Sequence, residues 1–149
     1  MEQRLKDEAA SPLNGARVLS GARVLVVEDD AIIAMDLGMT LAEAGAEVAG
    51  PCRTVKDGLI AAAERDLSAA LLDFQLGNET VEPVALMLAR RNIPFAFYTG
   101  QTETGPIRAE WPECKIISKS ARPKAIVNTI AEIIDEESTT AADRPYVSF

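Results

Sequence analysis

No histidine occurs anywhere in this 149-residue chain. That absence removes histidine-ligated metals, Ser/His/Asp and Cys/His catalysis, and any phosphohistidine carried by the chain itself. Cysteine is scarce: Cys52 and Cys114 stand far apart and match no zinc or CxxC spacing. They read as free thiols in a reducing compartment, with a disulfide as the lesser alternative. Aromatic residues make up only 5% of the chain, so alanine and branched aliphatics must build the core, which suits helices packed on a sheet. The net charge of −8 comes with no basic stripe. Nucleic acid is therefore not an expected partner, because such binding rests on neutralising phosphates. No run approaches the ~18 apolar residues a membrane span needs, and no membrane partner is expected. The N-terminal segment carries Glu2, Asp7 and Glu8 without an apolar stretch, unlike a secretory signal. The expected location is cytoplasmic.

What is present suffices for one domain with a proper core: 48% of residues are apolar. Residues 1–20, interrupted by Pro12 and Gly15, read as a flexible extension, 21–137 as the domain, and 138–149 as a loosely attached polar tail. The echo of "GARVLS" in the following "GARVLV" is too short to be a structural repeat. Neither end is long enough for an output module, so the chain is expected to stand alone.

Within the domain, short apolar runs alternate with helical patterns. Strands are expected at Arg23–Val27, Ala46–Ala49, Ala69–Leu72, Phe95–Tyr98 and Lys115–Ser118. Between them, apolar residues recur at helical spacing: Ile33, Leu37 and Leu41; Val55, Leu59 and Ala63; Val81, Val84, Ala85 and Leu88; and finally Ile126, Ile130, Ile133 and Ile134. Thr54 with Asp57 reads as a capping box, Gly45 as a C-terminal cap, and Pro123 as a first-turn proline. "QTETGPIRAEWPEC" (101–114) has no clean period, so the fourth helix is expected to be short or irregular. The pattern is (βα)₅, an α/β fold with a parallel five-stranded sheet covered by helices on both faces.

In such sheets ligands gather beyond the carboxyl ends of the strands, near the point where strand order reverses. "ARVLVVEDDAII" (22–33) raises the question of what would sit there. An apolar strand ends in Glu28, Asp29 and Asp30, although two carboxylates ~4 Å apart repel by roughly 1 kcal/mol even in water. A helix N-terminus is the ordinary explanation and a cation site the sharper one. The third strand ends in Asp73, the fourth in Thr99-Gly100 and the fifth in Lys119. Alone, Asp30 is a helix cap, Thr99-Gly100 a turn and Lys119 a solvated side chain. Their arrival at one rim from separate strands favours a site. Mg²⁺ (or Mn²⁺) prefers oxygen and takes one or two carboxylates, for which Asp29 and Asp73 are candidates, with the main-chain carbonyl of Gln75 as a third ligand. Asp73 would be a carboxylate nucleophile toward phosphorus, with Thr99 and Lys119 stabilising the phosphoryl oxygens.

The group "VEDD", the aspartate of "LLDFQLGNE", the threonine of "YTG" and the lysine of "ISKSARP" together resemble the receiver domain of two-component response regulators. The resemblance spans about Ala22 to Ile134. It implies a flavodoxin-like sheet of strand order 2-1-3-4-5, Asp73 as phosphoacceptor, Asp29 as a direct Mg²⁺ ligand with Glu28 behind it, and Thr99 and Lys119 as phosphoryl-binding residues. It implies a sensor histidine kinase or a histidine phosphotransfer protein as donor and output through protein contacts. A receiver catalyses its own phosphorylation and dephosphorylation without being a turnover enzyme. On activation Thr99 would move toward the phosphoryl group and the 101–122 surface would repack. "PFAFYTG" and "DFQLGNE" are similar to the stand-alone receivers with a Phe-Ala-Thr-Gly-X-Tyr signature, from which Gln101-Thr102 departs.

Two further departures concern the site. Ser120 follows the lysine where receivers usually have proline, and Ile116 stands where an aromatic switch residue is common. Tyr98 is either a substitute switch or a tyrosine packed on the sheet. Gln75 and Gln101 flank the route of attacking water and are expected to tune the phosphoryl lifetime. These departures leave a second reading, a degenerate receiver that binds proteins without being phosphorylated. A haloacid-dehalogenase-type phosphatase would want an acid at the position of Gln75. The "TGQTETG" segment resembles a flavodoxin phosphate loop but follows the wrong strand.

Overall fold

Residue alternation within short strands sets the layering. Along β1 (Arg23–Val27), Val24 and Val26 join one apolar cluster while Leu25 and Val27 join another. The same division recurs along β3 (Ala69–Asp73), where Leu71 and Leu72 part, and along β6 (Phe95–Thr99), where Tyr98 and Phe97 part. Successive side chains of a strand point to opposite faces, so a strand apolar at every position needs cover on both. The computed structural model, which describes residues 18–100 and 104–143, supplies that cover.

The remaining elements are α1 (Ala31–Glu43), β2 (Glu47–Cys52), α2 (Val55–Glu64), the two-residue strands β4 (Gln75–Leu76) and β5 (Glu79–Thr80), α3 (Glu82–Arg90), α4 (Gly105–Glu110), β7 (Lys115–Ser118) and α5 (Pro123–Asp143). The main sheet runs β2-β1-β3-β6-β7 with every pairing parallel. Its strands match the expected order 2-1-3-4-5, since β6 and β7 are the fourth and fifth strands of the sheet. Helices α1 and α5 cover one face through Leu37, Leu41, Ile126 and Ile130. Helices α2, α3 and α4 cover the other through Ala62, Val84, Leu88 and Ile107. The chain passes from β1 outward to β2 and then back across to β3, so the carboxyl ends of β1 and β3 border the switch point where a crevice forms.

Local signals act as their chemistry dictates. The Thr54 hydroxyl accepts from the Asp57 N–H at 3.1 Å, starting α2. Gly45 follows α1 at φ 100°, a conformation that favours glycine. Helix α4 is a single short element, in line with its aperiodic sequence.

Three expectations need correction. Leu19, assigned to the flexible extension, is 2% exposed, donates its N–H to the Ala44 carbonyl at 2.8 Å and belongs to the α1/α5 core. Burial of one leucine under the start of β1 moves the edge of the folded unit to before residue 20. Helix α5 continues to Asp143, past the expected end of the domain at 137. Strand β2 extends to Cys52, which brings that residue's carbonyl to the Glu28 N–H at 2.9 Å. The β4–β5 hairpin was not anticipated at all, since two-residue strands fall below any periodicity. Cys52 and Cys114 are both free, at opposite edges of the sheet, and burial pushes both thiols above the ordinary range. Among the described residues no helix is long and apolar enough to cross a membrane.

The scarce aromatics are concentrated on the α2–α4 face. Phe97 meets Phe74 and Phe95 edge-on at centroid distances of 5.4 and 5.5 Å, and Trp111 packs on Phe95 and Phe97 at 5.5 and 6.0 Å. Phe97 is fully buried at the centre of this group. Phe97→Ala is expected to cost about 3–5 kcal/mol, read from the urea unfolding midpoint, because the cavity it opens is walled by rigid rings and strand backbone. A loss below about 1 kcal/mol would show that the rings collapse freely into the space.

Candidate functional site

The three consecutive acids after β1 have three different fates. Asp30 is the N-cap of α1: its Oδ1 accepts from the Ile32 and Ile33 N–H groups at 2.9 and 3.1 Å. Glu28 turns inward, is 0% exposed, and accepts the Asp30 N–H on Oε2 at 3.0 Å. Asp29 lies between, part-buried, with Oδ2 accepting from the Gly77 N–H of the β4–β5 turn at 2.9 Å. The ordinary explanation therefore accounts for one acid only.

Beside them, at the end of β3, Asp73 is 5% exposed. Carboxylate oxygens of Glu28, Asp29 and Asp73 lie within 4.8 Å of one another, the one such cluster among the described residues. Lys119, just past β7, answers two of them: its Nζ lies 3.0 Å from Glu28 Oε1 and 3.2 Å from Asp73 Oδ2. Burial comes first among the causes that push the Asp73 carboxyl up to about 7. A hydrogen bond to Glu28 and that group's charge add to it, while Lys119 opposes. For Lys119 itself burial works against the charge, but the ion pairs with Glu28 and Asp73 outweigh it and raise its pKa.

The backbone of Lys119 is pinned although no proline follows it. Its N–H donates to the Thr99 carbonyl at 3.0 Å, and Ser120 closes a tight local turn with Ser118, N–H to Oγ at 3.1 Å and Oγ to Oγ at 2.7 Å. Thr99, buried at the end of β6, pairs in register with Ser118. Glu28, Asp29, Asp73, Thr99 and Lys119 border an open depression of about 440 Å³ at the carboxyl edge of the sheet, with Gly100 on its rim.

Not every expected residue points into it. Gln75 lines the depression, but its side-chain Nε2 donates to the Gly77 and Glu79 carbonyls, both at 3.2 Å, and so serves the hairpin. The two turn carbonyls thus hold its amide at the edge of the depression. Tyr98 is buried on the α1/α5 side with Lys119 Nζ 5.7 Å from its ring centroid, a cation–π distance. Ile116 packs on the opposite face, against the aromatic cluster. Gln101 lies outside the described residues.

Two contacts at the site were not foreseen. Arg53, on the loop after β2, donates from Nε and Nη2 to the Asp29 carbonyl at 3.2 and 3.1 Å. The other is the Gly77 N–H on Asp29, whose turn was signalled by "LGNE": Gly77 sits at φ 63°, as the first position of a two-residue hairpin turn favours.

No protein-family model matches the sequence, nor does any curated protein. Solved structures do. A CheY-like response regulator receiver domain protein from Methanospirillum hungatei aligns at 22% identity and TM-score 0.70, over 79% of this chain and 97% of that one. The chain has the receiver-domain fold. The signal receiver domain of a modulated diguanylate cyclase from Desulfovibrio desulfuricans aligns at 24% identity and TM-score 0.71, over 79% and 97%. The response regulator PhyR from Brucella abortus aligns at 24% and TM-score 0.68, over 85% of this chain but 55% of that one, so the receiver fold here spans about half of PhyR.

The donor set suits a hard divalent cation. It is all oxygen, and Glu28 Oε1, buried to the last, has no hydrogen bond of good geometry despite the ion pair with Lys119. Glu28, Asp29 and Asp73 are the carboxylates that could hold the ion.

Proposed function

We propose that this chain is a response regulator receiver that accepts a phosphoryl group on Asp73, in the cytoplasm, and signals through protein contacts. One observation supports this above the others: Lys119 Nζ sits 3.2 Å from Asp73 Oδ2 beside two further carboxylates, at the rim also bordered by Thr99. Asp73 would attack phosphorus, forming a P–O bond as the P–N bond of a donor phosphohistidine breaks and its electron pair leaves on the imidazole. These 149 residues hold no histidine, so a phosphohistidine donor would lie outside them, on a sensor histidine kinase or a phosphotransfer protein. A bound Mg²⁺ would supply charge neutralisation between the carboxylates and the phosphoryl oxygens. Lys119, now paired with two carboxylates, is placed to turn its ammonium to the phosphoryl group, and the Thr99 hydroxyl lies on the same rim.

A docking face for such a donor begins beside the depression. Ile32, Met35 and Met39 form an exposed apolar row along α1, whose first turn abuts the acidic rim. A neighbour named as the anti-anti-sigma factor PhyR from Bartonella quintana acts, by that name, on another protein, which agrees with an output by contact.

Intact mass after incubation with acetyl phosphate and Mg²⁺ tests the proposal. A single phosphoryl adduct that requires Mg²⁺ and disappears in Asp73→Asn is the expected result. No adduct at early times with Mg²⁺ saturating would overturn it in favour of a degenerate, purely protein-binding receiver.

A further inference from the structure

We propose that Arg53 is a positioning residue for the cation site: it clamps the backbone of Asp29 so that the Asp29 carboxylate stays among Glu28 and Asp73. The inference rests on the receiver reading above and adds a residue to it. Three acids in a row repel, and Asp29 is the one not anchored by burial or by capping, so its segment would relax outward unless held. Two grips oppose this. From β2, the Cys52 carbonyl takes the Glu28 N–H at 2.9 Å and the next residue, Arg53, puts two N–H groups on the Asp29 carbonyl. From the hairpin, the Gly77 N–H holds Asp29 Oδ2 at 2.9 Å.

The bonding choice of Arg53 is informative. Its guanidinium stands next to a cluster of carboxylates, yet among the described residues it pairs with none and bonds a carbonyl oxygen instead. A guanidinium fork spends two of its fixed donors on one acceptor only where geometry dictates it, and lysine cannot reproduce that fork. The carbonyl of Asp29 fixes the peptide plane leading to Asp30, whose own N–H is tied to Glu28 Oε2. Arg53 thus completes a frame in which side chains of the acid run have one arrangement.

Charge alone predicts the opposite effect. A cation near the site repels a divalent ion, so deleting Arg53 for electrostatic reasons would tighten metal binding. If positioning dominates, deletion weakens it, as loss of groups that orient metal ligands generally does.

The test is Mn²⁺ binding followed by electron paramagnetic resonance on the full chain, for wild type, Asp29→Asn, Arg53→Ala and Arg53→Lys, with thermal unfolding alongside. Arg53→Ala is expected to weaken Mn²⁺ about tenfold while leaving the unfolding temperature nearly unchanged. Arg53→Lys should recover only part of the loss, and added guanidinium at low concentration should restore affinity to Arg53→Ala. Unchanged or tighter binding in Arg53→Ala would overturn the inference, as would a loss of affinity matched by general destabilisation without guanidinium rescue. Wild type binding Mn²⁺ no better than Asp29→Asn would overturn the cation site itself, a failure distinct from that of Arg53.

Discussion

Replacing Lys119 with methionine is expected to lower stability near neutral pH by about 3 kcal/mol, because it removes the only cation within ion-pair reach of two buried acids among the described residues. Glu28 is 0% exposed and Asp73 nearly so, whereas the Lys119 side chain is 23% exposed. The lysine is therefore cheap to desolvate and the acids are not, and the loss falls almost wholly on the partners left behind. That asymmetry makes a specific double variant informative. Adding Glu28→Gln to Lys119→Met removes the buried charge along with its counter-ion, and most of the lost stability should return. Urea unfolding of the four proteins closes the cycle. If the double variant is no more stable than Lys119→Met, the lysine acts through its methylene packing on the rim and not through its charge. Lys119→Met should also give far less phosphoryl adduct under the conditions that label wild type, since among the described residues Lys119 is the one cationic side chain bordering the depression.

The second large effect is a loss of stability with rising pH in the absence of Mg²⁺ that saturating Mg²⁺ offsets. Burial, with Glu28 beside it, raises the Asp73 carboxyl from an ordinary 3.8 to about 7. Between those values the folded protein keeps a proton that the unfolded chain releases. The proton-linked stabilisation is full below the unfolded value and is lost as pH rises through about 7. Without divalent cation, wild type measured against Asp73→Asn should thus lose about 3 kcal/mol between pH ~4 and ~8. Saturating Mg²⁺ favours the ionised carboxylate, so the stabilisation it confers should grow over the same interval and offset the loss. The difference from Asp73→Asn cancels the background titration of other groups. A pH-independent difference, together with Mg²⁺ stabilisation that does not change over the interval, would show that Asp73 is already ionised in the folded state.

How much of this was legible in the sequence depended on whether the signal was local. The strands were readable because uninterrupted apolar runs such as Ala69–Leu72 and Phe95–Tyr98 need cover on both faces. The caps at Thr54 and Gly45 were readable because each involves near neighbours along the chain. The rim residues Asp73, Thr99 and Lys119 were readable through strand ends, which the fold then brings together. Division of labour within Glu28-Asp29-Asp30 was not, since it is decided by partners far along the chain: Lys119 for Glu28, Gly77 and Arg53 for Asp29. Leu19 was missed for a related reason. A lone leucine between turn residues carries no period, and only the Ala44 carbonyl and the α1/α5 core give it a place. The hairpin hid behind its own brevity, and with it the turn carbonyls that hold the Gln75 amide.

The aromatic cluster has an optical consequence. Trp111 is the sole tryptophan of the chain, and its ring lies edge-on to Phe95 and Phe97, its buried Nε1 without a hydrogen-bond partner among the described residues. Phe74, the residue after Asp73, touches the far side of Phe97. Trp111 is half-buried, and its two phenyl neighbours shield the indole, so a shift in the ring column or a water arriving on Nε1 would redden and dim its emission. The protein thus carries its own fluorophore one ring away from the neighbour of Asp73, and a change of emission on adding Mg²⁺ or acetyl phosphate is the signal expected if events at the rim reach the ring column.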